Sequence, residues 1–150
     1  MAALAGSWRS ASGRDFAAVV GGDESLEFRV VHASQHPRQG YEDGEVRFRL
    51  LPISGSVNEY AVEDHLRPTP LPGFEYDPKT SRESCVGIWM AVKGRKLLAQ
   101  FDGASSLTID FVQIRTGPEK FKTQGKRVVG CVDLTSSPAE PIENKVTRAP

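Results

Sequence analysis

At 150 residues the chain can fill one hydrophobic core and is too short for two ordinary domains. Its 39% apolar and 25% charged residues are the proportions of a soluble globular protein. Nineteen basic residues balance nineteen acidic ones, which excludes a global electrostatic footprint for nucleic acid or an anionic membrane.

Met1 to Trp8 lacks the charged stretch and apolar core of a secretory signal. No run approaches the roughly 18 apolar residues of a membrane span. Cys85 and Cys131 are therefore read as reduced, buried thiols, and the expected location is cytoplasmic.

Period-two alternation then dominates, as in sheets with one buried and one wet face. Leu26-Glu-Phe-Arg-Val30, Val46-Arg-Phe-Arg-Leu50 and Leu107-Thr-Ile-Asp-Phe111 are the clearest runs. The phase shifts by one residue in Val112-Gln-Ile-Arg115, which predicts a β-bulge near Phe111. Turn signals at Gly21-Gly22-Asp23, Lys93-Gly94 and Asp102-Gly103 punctuate the pattern. Strands are expected near 4–11, 15–20, 25–32, 44–53, 57–62, 85–92, 96–101, 105–115 and 127–134. Residues 63–84, with four prolines, read as a rigid surface crossing, and 135–150 as a loose C-terminal tail.

Sliding the chain against itself by 81 positions aligns Gly6-x-Trp8 with Gly87-x-Trp89 and Gly13-Arg14 with Gly94-Arg95. Ala18, Gly22, Ser25-Leu26 and Val31 also recur, giving nine identities over residues 6–31. The pattern implies two similar four-stranded halves, about 4–53 and 85–134, within a single all-β domain over 1–134. Neither half buries its apolar face alone. The expected fold is an antiparallel eight- to nine-stranded β-barrel, with a β-sandwich as the alternative.

Leu4-Ala-Gly6-Ser-Trp8, with Gly13 and Phe16 beyond it, resembles the opening strand of calycin-type barrels, in particular the avidin and streptavidin branch. The resemblance covers about residues 4–31. It implies a barrel whose Trp8 is a core residue, with Trp89 as its counterpart. Lipocalins, a related branch, stack a late-strand arginine over that tryptophan, and the resemblance offers Arg115 for this role. Trp8, Trp89 and Arg115 are thus the expected barrel-closing residues. Biotin binding does not carry over, because Ser10 and Arg14 stand where that branch has biotin-contacting Asn and Ser.

Chemical motifs are sparse. His32 and His36, with Asp64 and His65, invite a metal reading, but an i, i+4 histidine pair shares a face only on a helix. They read as surface histidines, with no metal and no cofactor expected. No phosphate-binding loop and no Gly-x-Ser-x-Gly elbow is present, and catalysis is not expected. Arg47 and Arg49 read as one solvated strand face, and Lys93, Arg95 and Lys96 as a solvated turn. The expected function is non-enzymatic binding of a small apolar ligand inside the barrel. The alternative is a protein-interaction or self-assembly module with a filled barrel.

Overall fold

The structure, a computed structural model, describes residues 2–77, 79, 84–115 and 117–150; positions 78 and 80–83 of the expected crossing lie outside it. Its strands are β1 (Gly6–Ser10), β2 (Asp15–Val20), β3 (Leu26–Val30), β4 (Val46–Pro52), β5 (Glu59–Leu66), β6 (Glu75–Tyr76) and β7 (Gly87–Trp89). They continue as β8 (Ala91–Val92), β9 (Arg95–Lys96), β10 (Leu98–Phe101), β11 (Ser106–Ile114), β12 (Phe121–Gln124), β13 (Arg127–Cys131) and β14 (Ala139–Arg148). Among the described residues no helix is long and apolar enough to cross a membrane.

Alternation does what the sequence implies. In β3, Leu26, Phe28 and Val30 turn inward; in β5, Tyr60, Val62, Asp64 and Leu66 are buried while their neighbours are half-buried. Each strand from β1 to β5 pairs antiparallel with the next. Strands β7 and β10 both lie antiparallel against β5, at Leu66–Asp64 and Ala61–Glu59 respectively. They are therefore one wall stave, interrupted by the small β8–β9 hairpin. The circuit continues through β11 and β14 and closes on β1, giving an eight-stave antiparallel barrel. Closure gives every stave a partner on both sides over part of its length.

The second half departs from the expected strand division. The 81-residue offset carries the β2–β3 register (Ala18↔Phe28, Val20↔Leu26) onto β10–β11 (Ala99↔Ile109, Phe101↔Leu107). Gly87 and Trp89, however, pair with β5 and not with a following strand. Residues 121–131 leave the barrel altogether and form a separate sheet of β12, β13 and β6.

The eighth stave comes from the segment expected to be a loose tail. Strand β14 pairs with β11 over nine positions, from Ser106↔Thr147 to Ile114↔Ala139. Only Val146 of this strand is buried, so its sequence carries almost no apolar alternation. Pro141 stands where β14 has β11 as its only strand neighbour, a position that tolerates a missing N–H. The unbroken β11–β14 register also removes the bulge expected near Phe111; Phe111 and Val112 are both buried there. The expected crossing is likewise corrected: residues 63–66 extend β5, and Arg67, Pro68 and Pro70 beyond them are buried.

The core fills the barrel below its upper end. Trp8, Phe28, Phe48, Leu50, Val62, Leu97, Ile109 and Val146 are fully buried, and the Phe28 and Phe48 rings stack 4.5 Å apart. At the bottom the Trp8 indole N–H donates to the Leu4 carbonyl at 2.8 Å. The cation above Trp8 is Arg148, 4.5 Å from the ring centroid, and not Arg115. The Arg148 guanidinium also donates to the carbonyls of Ala5 and Ala3, so it ties β14 to the N-terminal turn. Arg115 is exposed at the opposite end.

Trp89 is buried too, but in the side wall opposite Asp64. Its ring folds back on Gly87, where an added Cβ would lie 2.0 Å away. Here Gly-x-Trp is a packing requirement and not a bottom closure. A further correction concerns the cysteines. Cys85 and Cys131 are joined by a disulfide, with their Cα atoms 5.1 Å apart, fastening the entry to β7 to the end of β13.

Two outcomes test this architecture. Arg148→Ala should lower unfolding free energy by about 1–2 kcal/mol in denaturant titrations, while Arg115→Ala changes it by less than about 0.5 kcal/mol. Removing the disulfide with Cys85→Ala/Cys131→Ala should cost up to about 4 kcal/mol, the chain-entropy value for a bridge spanning 46 residues.

Candidate functional site

The upper end of the barrel is not filled. A cup of about 540 Å³ opens there, floored by Phe16, Leu66 and Phe111 and walled by arginines and amides. Its opening follows from the strand lengths. Strand β1 stops at Ser10, so the upper half of β14, with Ile142 and Asn144, has no partner on that side. The β1–β2 turn, carrying Ser12 and Arg14, faces the gap.

Arg47 enters the barrel through a local irregularity. Phe28 pairs with Phe48 and Arg29 with Val46, leaving Arg47 as an extra residue on β4. This bulge turns Arg47 inward beside Phe48, whereas Arg49 stays outside with Asp23 and Glu63. The expected common solvated face of Arg47 and Arg49 is thus absent. Arg47 is 8% exposed and its guanidinium lies 5.1 Å from the Phe111 ring centroid. Burial works against its charge, and the attraction of Asp64 more than offsets it, so its pKa is raised.

Asp64 is fully buried. One carboxylate oxygen accepts from Arg47, and the other accepts the Val112 backbone N–H at 2.8 Å. Arg67 pairs with Glu45 at 2.9 Å from behind the cup wall. Between the two guanidinium groups stands Tyr41, 5.7 Å from Arg47 and 5.8 Å from Arg67. Its hydroxyl donates to the His65 carbonyl and accepts the Arg67 backbone N–H.

The loop over residues 31–45 supplies the remaining wall. Gln35 anchors it to β2 by accepting the Asp15 backbone N–H at 2.8 Å and donating to the Asp15 carboxylate at 2.9 Å. The Gln35 carbonyl also accepts from the Arg14 guanidinium at 3.0 Å. His36 is held edge-on against Phe16 and Tyr41. It is 2% exposed, contrary to the surface position expected of it, and neither ring nitrogen has a hydrogen-bond partner. Burial, reinforced by Arg14 and Arg47, lowers its pKa to about 4, so the ring is neutral at pH 7.

The four residues of the metal reading do not converge. Asp64 points into the barrel, and His65, on the other face of β5, bonds Glu63 at 2.7 Å. No group of three or more potential ligands occurs among the described residues. The Lys93–Lys96 turn is exposed as expected and pairs with the barrel through Arg95 to Asp110 and Lys93 to Glu140. A second groove outside the wall runs between Trp89 and Pro138 and shares Arg115 with the cup.

Comparison with protein-family models, curated proteins and solved structures finds no match. The chemistry must therefore be taken from the cup itself. It is lined by guanidinium groups, amides, hydroxyls and a neutral imidazole, and no described hydroxyl hydrogen-bonds to that imidazole.

His36 gives this geometry a pH signature. Between pH 6.5 and about 4 the unfolded chain takes up a proton that the folded chain refuses, so stability falls as pH drops through that window. His36→Leu removes this contribution. The wild-type minus variant stability difference should fall by about 3 kcal/mol between pH 7 and pH 4 in denaturant titrations.

Proposed function

We propose that the protein is a non-enzymatic binding barrel that holds a small organic molecule in the cup at its open end. The apolar body of the ligand lies on Phe16, Leu66 and Phe111. The observation that carries this reading is His36, a buried imidazole with two unpartnered nitrogens in the wall of a cavity of about 540 Å³. Ligand sites of small proteins commonly measure about 300–1,000 Å³ and combine an apolar floor with a few convergent polar groups. The interior below the cup is occupied by side chains, so the ligand sits above the core and not within it.

The closed eight-stave meander and the Gly-x-Trp opening support placing the chain with calycin-like barrels. The Cys85–Cys131 disulfide favours an oxidising compartment over the cytoplasmic location expected from the sequence. The rival reading, a self-assembly module, is favoured by Ile88 and Met90, each 52% exposed and two residues apart along the wall.

One experiment separates the two. Fragment binding to the ¹⁵N-labelled protein should shift the amide resonances of His36, Phe111, Val112 and Asn144, and native mass spectrometry should report a monomer. A dimer whose resonances change at Ile88 and Met90, with no fragment entering the cup, overturns the binding reading.

A further inference from the structure

The cup has a charge imbalance that its volume alone does not require. Arg14, Arg47, Arg67 and Arg115 line it, and no aspartate or glutamate does. Two of these charges are compensated from behind the wall, Arg47 by Asp64 and Arg67 by Glu45. Arg14 and Arg115 make no ion pair among the described residues. Arg14 is half-buried and spends its Nε–H on the Gln35 carbonyl, which fixes the guanidinium without neutralising it. His36 adds no charge to the wall, and its two buried ring nitrogens have no hydrogen-bond partner among the described residues.

We propose that the cup selects organic monoanions: a carboxylate or sulfonate head held by Arg14 and Arg115, and a compact aromatic or branched body on the Phe16–Phe111 floor. This rests on the cup being the binding site. A cationic ligand would face four guanidinium groups with no carboxylate to receive it. A neutral ligand would cover the arginines without replacing the water they lose. A polyanion such as nucleic acid matches neither the closed floor nor the two uncompensated charges, which suffice for one head group. Planar guanidinium forks fit the two oxygens of a carboxylate or sulfonate side by side. The two rim arginines are partly exposed, so salt weakens the attraction.

The test uses two fluorescent probes that share one ring system. 1-Anilinonaphthalene-8-sulfonate carries an anionic head, and N-phenyl-1-naphthylamine is its uncharged counterpart. Titrated at low salt, the sulfonate should bind about tenfold more tightly than the amine, a preference of the size one oriented charge pair provides. In Arg14→Gln/Arg115→Gln that ratio should fall to about one, with binding of the neutral probe changed by less than about twofold. Arg115→Gln alone, at an exposed position, should give an intermediate ratio and guards against misfolding of the double variant. Equal affinities for the two probes, or a sulfonate preference indifferent to both variants, overturn the anion inference while leaving the cup as a binding site. Failure of both probes to bind, with the fold intact by circular dichroism, overturns the cup reading and the anion inference with it.

Discussion

Asp64 is the point on which three staves depend. It belongs to β5, accepts the guanidinium of Arg47 from β4, and accepts the Val112 N–H of β11. That last bond matters because the wall is interrupted here. Between β7 and β10 the chain leaves the barrel for the β8–β9 hairpin, and β11 has no strand neighbour on that side beyond Ile109. A carboxylate from the inner face of β5 takes the amide that the missing stretch of strand would have paired. A buried carboxylate is costly unless its oxygens are filled. Both are filled, and the interruption becomes a cross-link.

The same junction sets the level at which the core stops. Below it the barrel is packed with Phe28, Phe48, Leu50 and Ile109, closed by Trp8 under the Arg148 guanidinium. Above it the inward positions are polar or truncated: Arg47 on its bulge, Ser10 at the end of β1, Asn144 on a strand that has lost one neighbour. The two ends therefore use arginine in opposite ways. At the bottom Arg148 is spent on a ring and two carbonyls, and at the top Arg14 and Arg115 keep their charge available. Apolar packing is concentrated at the filled end, and polar groups gather at the open one.

Most of the wall was legible in the sequence because period-two alternation reports directly on burial. Strands β2, β3, β4 and β11 lie almost where the apolar residues place them. Strand β14 was not legible, since Val146 is its one buried residue and it contains Pro141; backbone pairing on two sides holds it, and backbone pairing leaves no signature in side-chain type. Glu63, Asp64 and His65 hid the end of β5 for a related reason: a buried aspartate reads as loop until its arginine is known. Arg47 shows the limit most sharply. Strict alternation in Val46–Leu50 places it outside, and one extra residue in the β3–β4 register reverses that. The lipocalin-like expectation of an arginine over Trp8 named the right chemistry and the wrong strand, because the sequence could not show that β14, and not β11, abuts β1.

The cup is thus assembled from departures from regular sheet. The bulge delivers Arg47, the early end of β1 opens the side, and the 31–45 loop brings His36 over Phe16, held by Gln35 on Asp15. Each departure leaves polar groups inside a wall that alternation would have made apolar. Where those groups answer one another, as Arg47 does Asp64, the result is structural. Where they do not, Arg14 and Arg115 line the cup with their charges unpaired, and His36 is buried in its wall with neither nitrogen bonded. An unmet, oriented donor set over an aromatic floor is the condition a ligand satisfies on entry. The binding reading rests on this difference between compensated and uncompensated groups and not on cavity volume. The outer groove beside Trp89 has a similar volume and also holds Arg115 and the unpartnered Ser137 hydroxyl, but it contains a carboxylate, Glu140, that pairs with Lys93 at 3.7 Å.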